Sequence, residues 1–237
     1  MPVTSSTNQS IVDDFVAPVC NDFVRILYQD ADILLINKPS GLLSLSGKNP
    51  LNWDSLHYRL VNGQEGISPA FPEAKLVHRL DFGTSGIMVV GLNALSTRQL
   101  NKQFQEGKVK KHYLAMLEGW LDQDQGQITA PIAKDKLLFP KVKICPATGK
   151  AAISEYQVIK RLEQPSRSLI RFTPVTGRTH QLRIHSREIG HPILGCDLYK
   201  NDHSEQMANR LLLHASDLFL QHPTSTEPVH GQCPCPF

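Results

Sequence analysis

An uninterrupted apolar run, Ile87–Val90, constrains the fold of this chain more than any other feature. It follows the segment His-Arg-Leu-Asp-Phe-Gly-Thr-Ser-Gly at residues 78–86, which ends in small, turn-forming residues. A short apolar run bounded by such residues predicts a buried strand. Asp81 and Arg79 then lie on the loop that enters this strand. The Asp81 carboxylate is either a catalytic group or half of a loop salt bridge, and these residues alone leave both alternatives open.

Apolar and polar runs elsewhere predict many strands and few helices. Residues 25–28 and 33–37 are mainly apolar and flank a polar turn, which predicts a hairpin. Further strands are predicted over residues 87–92, 112–118, 153–161, 168–173 and 211–215, and helices over 54–61, 93–106 and 179–188. The order lacks the regular alternation of strand and helix that marks a doubly wound parallel fold. We therefore expect an α+β fold with a mixed, mostly antiparallel sheet flanked by helices and loops.

The length of the chain bounds its domain organisation. The 237 residues suffice for one large domain or two small ones. The first 20 residues are polar at first and mixed afterwards, so we expect residues 1–20 to form a flexible leader. No clear linker divides the remainder, and we expect residues 21–237 to form one domain.

Composition excludes some classes of protein and leaves others open. The net charge of +3 is compatible with a nucleic-acid partner, but many enzymes without one look the same. No apolar run approaches the ~18 residues of a transmembrane helix, and the N-terminus lacks the features of a signal peptide. The five cysteines are odd in number and mostly far apart, which favours a reducing compartment. We expect a cytoplasmic protein without membrane contact.

A second polar cluster covers residues 176–185, Thr-Gly-Arg-Thr-His-Gln-Leu-Arg-Ile-His, at a turn that enters a predicted helix. A helix N-terminus with cations favours an anion, either a carboxylate or a phosphate. An arginine from this helix could pair with Asp81 and keep it ionised. The alternative is a set of solvated surface cations, which spacing alone favours.

Metal sites find little support in the spacing of histidines and cysteines. His180, His185 and His191 are separated by five and six positions, which matches neither a zinc-protease helix nor a zinc finger. The pair Cys233 and Cys235 lacks the second pair, or the histidines, of a structural zinc site. We therefore expect no metal.

Tyr113 follows a basic run that contains Lys108, Lys110 and Lys111. An aromatic ring beside a basic run can stack on a nucleobase. The alternative is an ordinary core-facing tyrosine near solvated lysines, and the residue taken alone favours that alternative.

Several motifs in order resemble the signature of RluA-type pseudouridine synthases. They lie at residues 37–42, 78–86, 111–113, 148–156, 177–195 and 211–215. The resemblance extends over roughly residues 24–237, and several long motifs in order are far more specific than one short pattern. It implies a single catalytic domain over residues 21–237 with an RNA-binding cleft across its sheet. Because that pattern begins by about residue 24, we expect no separate N-terminal RNA-binding domain.

The resemblance also implies roles for particular residues. Asp81 matches the catalytic aspartate, and Tyr113 matches the tyrosine that stacks on the target uracil. Arg183 matches the arginine that pairs with the aspartate. Arg79 matches a residue near the flipped nucleotide, and Leu213 matches an apolar wall of the base pocket, although plain core packing explains Leu213 nearly as well. Uracil is retained throughout the reaction, so no cofactor is required.

The resemblance further indicates the partner. The short form and the segments at residues 28–30 and 37–44 are most similar to members that act on both a large-subunit ribosomal RNA and tRNA anticodon stem-loops. We expect a monomer that binds structured RNA, without an obligate protein partner. One alternative is an RNA-binding or RNA-folding chaperone whose role does not require catalysis. Another is a glycoside hydrolase, which needs a pair of carboxylates across the bond.

Overall fold

The computed structural model describes residues 15–64, 70–201 and 203–237. The helices are α1 (Leu56–Asn62), α2 (Ala94–Gln105) and α3 (Gln181–Glu188). The strands are β1 (Arg25–Gln29), β2 (Ile33–Lys38), β3 (Lys75–Leu76), β4 (Ser85–Gly91), β5 (Lys110–Glu118), β6 (Gln125–Thr129), β7 (Ile132–Lys134), β8 (Val142–Ile144), β9 (Ile153–Leu162), β10 (Arg167–Pro174), β11 (Leu213–Gln221) and β12 (Pro228–Gln232).

Within these residues one large sheet organises the fold. Its main order is β1-β2-β4-β11-β5-β10-β9-β6, with β12 paired to β11 and β3 paired to β4, while β7 and β8 form a small separate hairpin. The pairing of β4 with β11 is parallel, and the other strand pairs of this sheet are antiparallel. The predicted α+β fold with a mixed, mostly antiparallel sheet is therefore confirmed.

Strand β4 is buried along its whole length, as the apolar run predicts. Its second residue, Gly86, has a φ of +120°, and a Cβ there would lie 2.2 Å from the carbonyl oxygen of Ala215 on β11. Only glycine has no Cβ, so only glycine permits this close parallel approach. The approach brings the start of β11, including Leu213, beside the loop that carries Asp81.

The two longer helices begin in different ways. In α2 the Asn93 side chain accepts a hydrogen bond from the backbone N–H of Ser96, which is an ordinary N-cap. In α3 the N-cap is His180, which has a left-handed backbone (φ 55°) and makes no side-chain capping bond. Its imidazole is therefore available for contacts outside the helix.

Two apolar cores lie in the described residues. One surrounds β2 and β4 and includes Leu34, Ile36 and Met88, all fully buried. The other packs β5 and β10 against α3. Tyr113, on β5, packs against both cores. The tyrosine therefore stands at the junction where the two halves of the sheet meet.

Part of the predicted leader lies against the domain. Asn52 donates its side-chain amide to the carbonyl oxygen of Phe15 (2.7 Å) and accepts from the backbone N–H of Ala17 (2.8 Å). The Phe15 ring packs edge-on against Phe82 at 5.6 Å. Residues 1–14 of the leader lie outside the described residues. In the described part of the chain, no helix has the length and apolarity that crossing a membrane requires.

Candidate active site

The loop that carries Asp81, residues 80–84, is hereafter the Asp81 loop, and hydrogen bonds attach it to the segment that follows β2. Ser44 Oγ donates to the carbonyl oxygen of Leu80 (2.7 Å) and accepts from its N–H (3.2 Å). Ser40 Oγ donates to the carbonyl oxygen of Gly83 (2.7 Å), and the Gly41 N–H donates to that of Phe82 (2.9 Å). Hydrogen bonds thus fix the loop backbone on both sides of Asp81.

Lys38 completes this attachment from beneath the loop. Its side chain is fully buried, and Nζ donates to the carbonyl oxygens of Leu42 (2.7 Å), Pro39 (2.9 Å) and Phe82 (3.4 Å). Burial lowers the pKa of this ammonium group to about 7. A buried cation is costly unless it is satisfied, so its hydrogen bonds bind the loop and the 38–44 segment into one unit.

A cavity of about 470 Å³ opens between the Asp81 loop and the segment that leads into α3. All five residues to which the family resemblance assigned roles line it: Arg79, Asp81, Tyr113, Arg183 and Leu213. Asp81 is the sole carboxylate among its described lining residues, whereas the lining also includes the cations Lys111 and Arg178. The cavity therefore presents one acid within a cationic surround. A second acid across the cavity, which a glycoside hydrolase would need, is not among those residues.

Asp81 has an open carboxylate. Its side chain is 20% exposed, and its nearest histidine is His180, whose Nε2 lies 4.0 Å from Oδ1. No ion pair joins it to Arg79, which is exposed. The loop salt bridge considered from the sequence is therefore absent from this structure, and the carboxylate faces the cavity.

Arg183 differs from its expectation. Its Nη2 pairs with the Asp197 carboxylate and also contacts Cys196 Sγ at 3.4 Å, while its Nε is buried without a hydrogen-bond partner. Burial lowers the pKa of Arg183, but Cys196, Asp197 and Asp81 together outweigh burial and raise it. The expected pair between Arg183 and Asp81 is thus replaced by a pair with Asp197, and Asp81 acts on the guanidinium only from a distance.

Only part of the cluster at residues 176–185 is a solvated surface. Arg178 is exposed, whereas Arg183 and His185 are both buried, 4% and 0% exposed. His185 lies between Ser154 Oγ (3.0 Å) and the carbonyl oxygen of Ala130 (3.0 Å), which gives it a place in the core. His191 Nδ1 lies 2.7 Å from the carbonyl oxygen of Glu118. Each of these histidines therefore has a protein partner that accounts for its position.

Tyr113 on β5 and Leu213 on the neighbouring strand β11 both line the cavity. Burial and the charge of Asp81 both raise the pKa of the Tyr113 hydroxyl, so this hydroxyl stays protonated and lies near the acid. Leu213 is 3% exposed and belongs to the second apolar core. Its packing role is therefore plain, and its place in the cavity wall comes in addition.

Lys111, which the sequence analysis placed in the basic run before Tyr113, also lines the cavity. Its Nζ lies 5.8 Å from the centre of the Phe104 ring, and burial lowers its pKa. No carboxylate or carbonyl oxygen within hydrogen-bond distance of Nζ occurs in the described residues. By contrast, Lys102 and Lys108 both lie within ion-pair distance of Glu106. Lys111 is thus a partly desolvated cation that faces the cavity without an anion.

The fold and the site define a class of protein: an enzyme with one acid in a cationic cleft, with an aromatic ring beside the acid. A family model described as RNA pseudouridylate synthase matches residues 32–188. The chain belongs to this family, whose members isomerise uridine in RNA to pseudouridine.

Curated proteins and solved structures agree with this assignment. The chain is 45% identical over 212 residues to the "Dual-specificity RNA pseudouridine synthase RluA" of Yersinia pestis, covering 90% of this chain and 99% of that protein. It is 40% identical over 220 residues to the protein of the same name from Escherichia coli K12, covering 93% and 97%. The solved structure of "Human RNA Pseudouridylate Synthase Domain Containing 1" superposes with a TM-score of 0.73 at 30% identity, covering 93% of this chain and 86% of that one.

Proposed function

We propose that this enzyme isomerises uridines in ribosomal RNA and tRNA, and that Asp81 carries the chemistry. The observation that supports this most is the isolation of Asp81, the one carboxylate among the described cavity-lining residues, on a loop whose backbone is held by Lys38 and Ser44. A carboxylate that is fixed in position can serve as nucleophile or as base. The reaction breaks the carbon–nitrogen glycosidic bond, turns the uracil and rejoins it through carbon.

The remaining cavity residues have binding roles in this proposal. A base inside RNA must be flipped out before it can react, which costs about a few kcal/mol. The Tyr113 ring stacks on the flipped uracil, and Leu213 closes the apolar side of its pocket. Arg79 is exposed at the rim, where it contacts the flipped nucleotide. Arg183 lies deeper and adds positive potential around the acid.

The choice of RNA rests on the relatives. The Yersinia and Escherichia proteins are named as dual-specificity enzymes and align over nearly their whole length. We therefore assign the same double specificity here, for large-subunit ribosomal RNA and tRNA anticodon stem-loops. The enzyme acts as a cytoplasmic monomer, with residues 21–237 as one catalytic domain.

The test uses purified wild type and Asp81→Asn with unmodified tRNA and large-subunit ribosomal RNA transcripts, and maps pseudouridine by mass spectrometry. Asn keeps the shape of the side chain but removes the charge. We expect product on both RNAs with the wild type and none with the variant, because the acid has no substitute in the cavity. Product from Asp81→Asn would contradict the role of Asp81, and product on a single RNA would contradict double specificity.

The chaperone alternative makes a different prediction. A protein that only binds or refolds RNA has no chemical need for Asp81. In a strain that lacks the wild-type gene, Asp81→Asn would then restore every phenotype. We expect it to restore none of those that depend on the modified base.

A further inference from the structure

We infer that Tyr199 and His180 form a relay that orients Asp81: Tyr199 fixes the tautomer of His180, and His180 directs its Nε2–H at the carboxylate. This inference rests on the proposed function, because it adds positioning residues to the same site.

The first step is the hydrogen bonding of Tyr199. The residue is 1% exposed, and its hydroxyl oxygen accepts a hydrogen bond from the backbone N–H of Val142 (2.8 Å). The same oxygen lies 2.8 Å from Nδ1 of His180. Burial raises the pKa of the hydroxyl to about 12, so it keeps its proton. His180 Nδ1 is the one acceptor within reach in the described residues, so the hydroxyl donates to it; otherwise a buried O–H would have no partner.

The second step follows from the charge of the imidazole. Burial lowers the pKa of His180, and the opposing charges around it (Asp81 and Asp197 against Arg183 and Arg79) do not reverse this. The ring is therefore neutral near pH 7. A neutral ring that accepts at Nδ1 carries its proton on Nε2. That nitrogen is the one that faces Asp81.

The third step concerns the backbone. His180 adopts φ 55°, a left-handed conformation that residues with a Cβ rarely adopt. It stands at the N-cap of α3, where a side chain ordinarily accepts from the first turn, yet it makes no such bond. The strained backbone instead turns the imidazole into the cavity. Unfavourable backbone conformations of this kind concentrate at functional sites.

The last step is the distance. Nε2 lies 4.0 Å from Asp81 Oδ1, which is longer than a hydrogen bond. Hydrogen bonds in active sites are often long without substrate and shorten in the complex. Because Arg183 is engaged by Asp197, His180 is the group placed to make this bond when the cavity closes on the flipped base. The bond holds the Asp81 carboxylate in one orientation, aimed at the sugar.

The first measurement is the ¹⁵N chemical shifts of the His180 ring in the full-length wild type near pH 7, assigned with a His180→Gln sample. We expect a protonated Nε2 and an unprotonated Nδ1. In Tyr199→Phe, which keeps the ring but removes the hydroxyl, the two tautomers should mix. A wild-type ring with its proton on Nδ1, or with protons on both nitrogens, would overturn the inference.

Single-turnover kinetics with the tRNA substrate supply the functional readout. His180→Ala should lower the rate constant at saturating RNA by roughly 10- to 100-fold, as for one lost hydrogen bond to a charged group, while RNA affinity stays unchanged. His180→Gln should restore part of this rate, because its amide can donate at a similar position. Gln164 adopts φ 53° elsewhere in this chain, which shows that a glutamine is compatible with the left-handed backbone that position 180 has.

Controls separate this inference from other failures. Tyr156→Phe, on β9 away from the cavity, and His203→Gln, at an exposed position, should leave the rate unchanged. A wild-type enzyme that makes no pseudouridine would contradict the proposed function itself. Only the relay would be contradicted if the wild type is active and His180→Ala turns over at the same rate, or if the Gln and Ala variants are equally slow. If a variant fails to fold, the tautomer of the His180 ring in the wild type still tests the relay.

Discussion

The polar side chains on the two walls of the cavity differ in how many of their hydrogen bonds are made within the protein. On the wall of the Asp81 loop, Lys38 and Ser44 are buried and bonded to backbone groups. On the opposing cationic wall, Lys111 is partly desolvated, yet no acceptor among the described residues reaches its Nζ, and Arg183, although paired with Asp197, has an unpaired Nε. The loop backbone on the first wall is therefore held in place, whereas Lys111 on the second is open to an anion. This difference agrees with the proposed roles, in which the first wall carries Asp81 and the second contributes Lys111 to RNA binding and His180 to the orientation of Asp81.

Of the substitutions considered, Lys38→Met should have the largest effect on the wall that carries Asp81. Methionine fills a similar volume but leaves buried carbonyl oxygens without a donor. We expect the free energy of unfolding to fall by about 3 kcal/mol and the single-turnover rate constant to fall by roughly 100-fold. Chemical denaturation and single-turnover assays measure the two effects. A variant with wild-type rate would show that the loop does not need this anchor.

The same variant reveals the titration of Lys38. Its pKa is about 7 in the folded protein and 10.5 ordinarily. Below pH 7 both states hold the proton; between pH 7 and 10.5 the unfolded state binds more protons, so stability rises with pH in that window. The stability advantage of the wild type over Lys38→Met should grow by roughly 1 kcal/mol per pH unit from pH 7 to pH 9. An advantage that does not change with pH would contradict the burial of a titrating ammonium group.

Ser44→Ala tests the same wall with a smaller change. It removes one hydroxyl that both donates to and accepts from Leu80, so the rate constant should fall by roughly 10-fold with RNA affinity retained. Ser46→Ala is the matched control, because its hydroxyl donates to the carbonyl oxygen of Trp53 and contacts Ser55, away from the loop. Equal losses in both variants would show a general effect on stability.

Lys111→Gln tests the cationic wall and should have the smallest effect. Loss of one phosphate contact should weaken RNA binding by roughly 5-fold and lower the slope of log affinity against log salt by about one, while the rate at saturation stays unchanged. Lys108→Gln is the matched control, since Lys108 is already paired with Glu106 at 2.7 Å. Should Lys108→Gln change the salt slope as much as Lys111→Gln, the cavity lysine would have no special place.

Much of this arrangement follows from local sequence. The apolar run after Gly86 predicted β4, and two short apolar runs across a polar turn predicted the hairpin of β1 and β2, because both patterns depend on near neighbours. The shorter strands β3, β6, β7, β8 and β12 were not predicted. They contain few residues, and distant partners decide their pairing, so local periodicity carries little signal for them.

The sequence predicted which residues line the site, but it did not predict which side chains pair with each other. The motifs brought Asp81, Tyr113 and Arg183 to one cavity, as the resemblance implied. The partner of Arg183 could not be predicted, because Asp197 lies on a loop beyond α3 whose path depends on tertiary packing. His180 was considered as a metal ligand and as a member of the polar cluster, but not as a partner of Asp81. Its signal, a left-handed N-cap turned towards a buried tyrosine, exists only in three dimensions.

The most direct test of the division between the two walls compares Ser44→Ala and Lys111→Gln on one tRNA, with the dissociation constant and the single-turnover rate constant measured for each. We predict that Ser44→Ala lowers the rate constant at unchanged affinity and that Lys111→Gln weakens affinity at an unchanged rate constant. If both variants change both quantities together, or if the effects are exchanged, the two walls do not have separate roles.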